Sequence, residues 1–149
     1  MSNHATYDDA NLILRLYELR REERMRAARK WFAEKCGPET LDEFRALCPP
    51  GTDENAFFRQ VSTYYEMVAS FVERGVLDAE LYFQSGGELF LVYCRLEPFL
   101  AEYRTAFKNP GLYRNLEAVA KKYEAYINRN DPEAATAFRA RMRGMLGKK

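Results

Sequence analysis

Residues 57–100 read FFRQVSTYYEMVASFVERGVLDAELYFQSGGELFLVYCRLEPFL. In the first half, Phe57, Phe58, Val61, Tyr64, Tyr65, Val68, Phe71 and Val72 recur at three- and four-residue steps. That spacing gathers them on about half of a helix circumference, as in an element packed against a core. In the second half, Leu89, Val92, Tyr93, Leu96, Phe99, Leu100, Tyr103 and Phe107 form a longer stripe. Phe90, Leu91 and Cys94 make its beginning apolar nearly all round, so this helix is expected to be the most enclosed. Gly75 suits a left-handed helix stop, with Val76 folding back on Phe71. Asp78 suits the cap of a short helix through Phe83. Pro98 removes one backbone donor and is expected to bend the helix that carries it.

Proline and glycine punctuate the flanks in the same way. One long helix is expected from about Tyr7 to Lys35. Leu12, Ile13, Leu16, Tyr17 and Leu19 begin its apolar stripe, and Ala27, Ala28, Trp31 and Phe32 resume it. Between them, Arg20 and Arg24 fall on the apolar face. Gly37-Pro38 ends that helix, and a short one from Thr40 to Leu47 stops at Pro49-Pro50-Gly51. Thr52 or Asp53 caps the next. After Asn109-Pro110-Gly111, an amphipathic helix carries Leu112, Leu116, Val119, Ala120, Tyr123 and Ile127. Asp131-Pro132 reads as an N-cap followed by proline at the first helical position. The last helix turns Ala134, Phe138, Met142 and Met145 inward. No run alternates long enough to be a strand. The reading is all-α: an irregular helical bundle of about six to seven helices with a long N-terminal helix. It is expected to be one domain, 1–149, with 1–6 and 147–149 frayed.

The chain has 149 residues, 47% hydrophobic and 30% charged. That is enough length for a core and too apolar for disorder. No apolar run approaches the ~18 residues of a membrane span. The first residues lack the charged and apolar regions of a secretory signal. Three unpatterned cysteines, Cys36, Cys48 and Cys94, suit a reducing compartment. A cytoplasmic location is therefore expected.

The net charge of +1 conceals an asymmetry. The first helix carries Arg15, Arg20, Arg21, Arg24, Arg26, Arg29 and Lys30, and the tail carries Arg139, Arg141, Arg143, Lys148 and Lys149. The middle is acidic. The simplest expectation is that basic and acidic regions neutralise each other, within the molecule or across a dimer.

Few residues could carry chemistry. The single histidine, His4, lies near the N-terminus, which makes a histidine base or triad improbable. Neither a metal nor a cofactor is expected. Cys94 reads as a core filler. Gly86-Gly87 lacks the surrounding pattern of a phosphate loop and reads as a helix junction. Two carboxylates stand out. Glu66 sits at the edge of an apolar face and Glu88 opens the most apolar helix. They could do acid–base work or hold a metal. The expectation is structural: Arg20 or Arg24 pairs with Glu66 or Glu88 inside the bundle, because an unpaired buried arginine is costly. Most tyrosines and phenylalanines belong to the core, with Tyr113 and Tyr126 the surface candidates.

Several of these residues also carry a resemblance. Tyr65-Glu66, Phe71-Val72, Gly75-Val76-Leu77-Asp78, Leu81-Tyr82-Phe83 and Leu96-Glu97-Pro98-Phe99 together resemble a family of small all-helical bacterial proteins known only as a domain of unknown function. The likeness covers about a third of the chain and implies the all-helical fold. It implies no activity, cofactor or site residue. Some relatives carry an N-terminal membrane helix, and none is expected in this chain.

The functional expectation is a non-enzymatic protein-interaction or scaffold module, whose ~43 Å first helix reaches beyond the bundle to a protein partner or a second copy. The alternative is nucleic-acid binding through Arg15, Arg20, Arg21, Arg24, Arg26, Arg29 and Lys30 with the basic tail. The acidic middle opposes that alternative. A carboxylate enzyme is a third reading. A fourth is membrane-surface attachment through Met142, Met145 and Leu146 flanked by arginines.

Overall fold

The computed structural model describes residues 4–147. Eight helices and no strand occur among the described residues. They are α1 (Tyr7–Arg20), α2 (Glu23–Lys35), α3 (Leu41–Leu47), α4 (Asp53–Glu73), α5 (Ala79–Phe83), α6 (Glu88–Phe107), α7 (Arg114–Asn128) and α8 (Ala134–Arg143). No helix among the described residues is long and apolar enough to cross a membrane.

The helix count exceeds expectation because the long N-terminal helix is two. At Glu22 the backbone leaves the helical region, with φ −59° and ψ 145°. The Glu22 carboxylate then accepts the amides of Arg24 and Met25 at 3.1 and 3.0 Å. Glu22 is thus the N-cap of α2, satisfying donors that a fresh helix start leaves unpaired. The break resets the helical phase. Met25, Ala28 and Phe32 now face the core, and Arg24 turns to the side. The 43 Å rod is absent.

The other stops follow their local chemistry. Thr6, Thr40, Thr52 and Asp78 accept an amide of the first turn of α1, α3, α4 and α5. At the end of α4, Gly75 has φ +76°, its amide donates to Val72, and the Val76 amide donates to Phe71. That is a Schellman stop, although the Val76 side chain stays exposed and Leu77 is the residue buried. Asp131 accepts the Glu133 amide rather than opening a helix at Pro132. The α8 amide of Ala135 is taken instead by the Asn128 side chain at 2.9 Å. The ends expected to fray are only partly within the described residues. There, Thr6 caps α1 and the Gly147 amide donates to the Glu34 carbonyl.

At the centre, α4 packs broadly against α2 and α7, and α6 closes over α3, α4, α7 and α8. A cluster of rings joins four of these helices. Phe44 lies 4.6 Å from Phe58 and 4.8 Å from Phe99, centroid to centroid, and Phe32 stacks on Phe58. Each fully buried phenylalanine contributes about 1.5–3 kcal/mol from water exclusion. Gly87 matters here for space: a Cβ would lie 2.8 Å from the Tyr123 hydroxyl and 2.9 Å from the Phe138 ring. Its smallness lets α7 and α8 approach the start of α6. Tyr113, expected on the surface, is buried, and its hydroxyl meets Ser62 at 2.7 Å. Cys36 and Cys48 are the buried thiols, whereas Cys94 is partly exposed.

Candidate functional site

Glu88, in the first turn of α6, is the hub of a polar corner between α1, α2, α4 and α6. Its Oε1 accepts Nη1 of Arg20 at 3.0 Å, Nε of Arg29 at 3.0 Å and the Tyr65 hydroxyl at 2.5 Å. Its Oε2 accepts Nε of Arg29 at 2.9 Å. Arg29 also donates through Nη1 to the Arg20 carbonyl at 3.3 Å, at the end of α1. Tyr64 donates to the Leu16 carbonyl at 2.6 Å. One carboxylate therefore faces two guanidinium groups, and the corner carries an excess positive charge.

The structure separates the four pairing candidates. Arg20 reaches Glu88. Arg24 instead lies 3.8 Å from Asp53, with both side chains well exposed, and over the Phe57 ring at 5.0 Å. Glu66 meets no arginine: it accepts the Leu116 amide at 2.8 Å and the Asn115 side chain at 2.9 Å. It caps α7, whose own N-cap residue, Tyr113, offers no side-chain acceptor. The phase reset at Glu22 explains the exchange of Arg24 for Arg29.

The candidate basic surface is engaged in part. Besides Arg29, Lys30 pairs with Glu34, Arg139 with Glu124 and Glu97, and Arg143 lies 3.8 Å from Glu39. Arg15, Arg21, Arg26 and Arg141 are exposed, with Arg21 over Tyr17 and Arg141 over Phe138. Lys148 and Lys149 lie outside the described residues. Leu146, offered above to a membrane, packs over Gly37 so closely that a Cβ there would lie 2.6 Å from its Cδ1.

Two residues escaped the sequence reading. Tyr65 was taken as core alone, yet its hydroxyl serves Glu88. Arg95 lies inside the most apolar helix and is only 5% exposed. Its Nη1 donates to the carbonyls of Phe32, Ala33 and Cys36, and its Nη2 to Met142. It thus ties the negative end of α2 to α8. Burial lowers its pKa, with Cys36 and Cys94 opposing. A charge within an otherwise apolar run was the available signal.

Beside the Glu88 corner, Arg20, Tyr17, Tyr64, Tyr82 and Ser85 help to line a cavity of about 50 Å³. Burial pushes the Tyr64 phenol up to about 12, and burial with the Glu88 charge pushes Tyr65 well above its ordinary value. Burial also raises Tyr82. These phenols stay protonated at neutral pH, so they act as hydrogen-bonding groups rather than bases. For Arg20, burial disfavours the charge, but the oxygens of Tyr65 and Glu88 outweigh it and raise its pKa. A broader groove of about 600 Å³ adjoins the corner, with Arg26, Lys30, Leu91, Phe138, Met142 and Met145 in its walls.

A family described as a domain of unknown function (DUF4760) matches residues 5–123. No curated protein and no solved structure matches the chain.

Proposed function

The chain belongs to the DUF4760 family, and on that premise we propose that it is a non-enzymatic protein-interaction module that self-associates through the outer face of α1. One observation carries this reading. Tyr7, Leu14 and Tyr17 are 83%, 61% and 47% exposed, and on a 3.6-residue period they share one stripe. The inner face of the same helix holds Asp9, Ile13, Leu16 and Arg20 against the bundle. A helix apolar on both sides has a partner for only one of them.

Charge selects the occupant. α1 has the exposed Asp8 in its first turn and is followed by the exposed Arg21, so two antiparallel copies bring unlike charges near each other. A second copy laid antiparallel and crossing at Leu14 sets Leu14 on Leu14. Tyr7 then faces the other copy's Arg21, and the helix dipoles oppose. Nucleic-acid binding has less support, because many of the cations it needs already hold carboxylates. A scaffold role for one domain spanning 1–149 follows as part of the same proposal.

Sedimentation velocity from ~1 to ~500 µM tests it. A dimer that grows with concentration and disappears in Leu14→Glu supports the reading. A monomer across the whole range defeats it.

A further inference from the structure

The broader groove beside the Glu88 corner has two unlike walls. α2 brings Arg26, Arg29, Lys30 and Ala33 to it. Arg26 and Lys30 are about one helical turn apart, and so are Arg29 and Ala33, which makes a basic ridge ~10 Å long. The other wall is apolar. It is formed by Phe138 and Met142 of α8 and by Met145 in the turn that follows, all half-buried.

The two walls are tied together without a ligand. Arg95 donates to the carbonyls of Phe32 and Ala33 on α2 and of Met142 on α8. The Gly147 amide donates to the Glu34 carbonyl. The Phe138 ring lies 5.2 Å from Phe90, centroid to centroid. A surface held in this way loses little freedom when it binds.

Charge selects the sign of the occupant. Arg20, Arg26, Arg29 and Lys30 line the groove against two carboxylates, Glu34 and Glu88. Arg26 is exposed and pairs with no carboxylate among the described residues. The Lys30 side chain is 72% exposed in its pair with Glu34, and such a pair holds its lysine weakly. Both cations are therefore open to carboxylates from outside.

Shape selects the class of occupant. Phe138, Met142 and Met145 recur at i, i+4 and i+7, the register in which a groove receives an amphipathic helix. Methionine side chains adapt to the apolar groups set against them. A nucleic-acid backbone would meet Glu34 and Glu88 and leave the apolar wall uncovered. A flat bilayer surface suits protruding cations better than a wall set within a groove.

We infer that this groove docks an acidic amphipathic helix from a partner protein. About two turns of that helix rest apolar residues on Phe138, Met142 and Met145, and carboxylates along its edge face Arg26 and Lys30. Tyr7, Leu14 and Tyr17 do not line the groove, so the inference stands whether or not α1 self-associates.

Three labelled Ala-based peptides of about fourteen residues provide the test. Each carries Leu at i, i+4 and i+7, with Glu, Gln or Lys along the flanking edge. Fluorescence anisotropy reads affinity, and the methyl signals of Met142 and Met145 in a ¹H–¹³C spectrum locate the peptide. The Glu peptide should saturate, shift both methyl signals and bind about tenfold tighter than the Lys peptide, a gap that closes as salt rises. Arg26→Glu removes no internal partner, so it should keep the melting temperature and weaken the Glu peptide about fivefold. No saturation by the Glu peptide below ~1 mM overturns the inference. So does equal affinity in Arg26→Glu, or methyl signals that stay in place. Tighter binding of anionic vesicles or single-stranded DNA at the same residues overturns it too.

Discussion

Oε1 of Glu66 on α4 accepts the backbone amide of Leu116 at 2.8 Å, across 50 residues of sequence. The start of α7 is therefore capped from another helix. The Tyr113 backbone in front of it is left-handed, with φ +59°, and contributes no acceptor. A carboxylate at a helix N-terminus also meets the positive end of the dipole. Glu66→Ala should cost about 1 kcal/mol in urea unfolding, the usual worth of a cap. Glu66→Gln keeps one acceptor oxygen and should cost about half as much. An unchanged midpoint in Glu66→Ala would show that α7 needs no acceptor from α4.

Arg29 and Arg24 offer a direct contrast. Arg29 donates to both oxygens of Glu88 and to the Arg20 carbonyl in a partly buried setting. Arg24 meets Asp53 in solvent. Arg29→Ala should lose about 1–2 kcal/mol, scaled down from a fully buried pair because water screens it. Arg24→Ala should stay within about 0.5 kcal/mol. Thermal melts of the two variants side by side decide the matter, and the reverse order would contradict the placement of Glu88.

Arg95 is expected to be the most sensitive cation. Arg95→Ala leaves the carbonyls of Phe32, Ala33, Cys36 and Met142 without their donor and opens space beside the core. A loss of about 3 kcal/mol or more follows. Arg95→Met refills the volume and should recover part of it. If Arg95→Ala unfolds no earlier than the parent in chemical denaturation, the carbonyl contacts carry little energy.

Asp9 makes stability depend on acid. Its carboxylate accepts the Thr6 amide at 2.7 Å and the Asp78 amide at 2.8 Å. The Thr6 contact first, and the Asp78 contact second, hold its pKa below the ordinary carboxylate value. The unfolded chain therefore binds a proton before the folded one does. Its contribution is complete above about pH 4 and is lost as pH falls through the lower folded value. The stability gap between the parent and Asp9→Asn should narrow from pH 5 to pH 3. A gap constant over that range in urea midpoints would contradict the assignment.

The thiols give an inexpensive check on packing. Burial raises Cys36 and Cys48, and pushes Cys94 up to about 11. A thiolate reagent at neutral pH should find the native protein nearly inert, with Cys94 reacting first. All three should react in denaturant. Rapid labelling of Cys36 in the native state would contradict its burial at the end of α2.

The parts legible in the sequence are those with short-range causes. The stripes of α4, α6 and α7 and the caps at Thr52 and Asp78 each depend on residues within a turn or two. The stop at Gly75 is equally local. The break at Glu22 carries no glycine or proline, and glutamate is a rare N-cap, so local pattern favoured continuation. From that one miss follow the exchange of Arg24 for Arg29 and the loss of the protruding rod. Glu66 and Tyr113 were misplaced for a different reason. Their partners, Leu116 and Ser62, lie 50 and 51 residues away, beyond any periodicity argument. Arg20 at Glu88 was readable because a charge on an apolar face needs a counter-charge.

Arg95 has a consequence for biosynthesis. Three of its four carbonyl partners precede it in the chain, but Met142 is made 47 residues later. A nascent polypeptide can bring the end of α2 to this guanidinium early, yet its shell of acceptors stays incomplete until α8 emerges. A ribosome stalled between the two would hold an intermediate with a half-solvated cation at its seam, a ready target for a chaperone or protease.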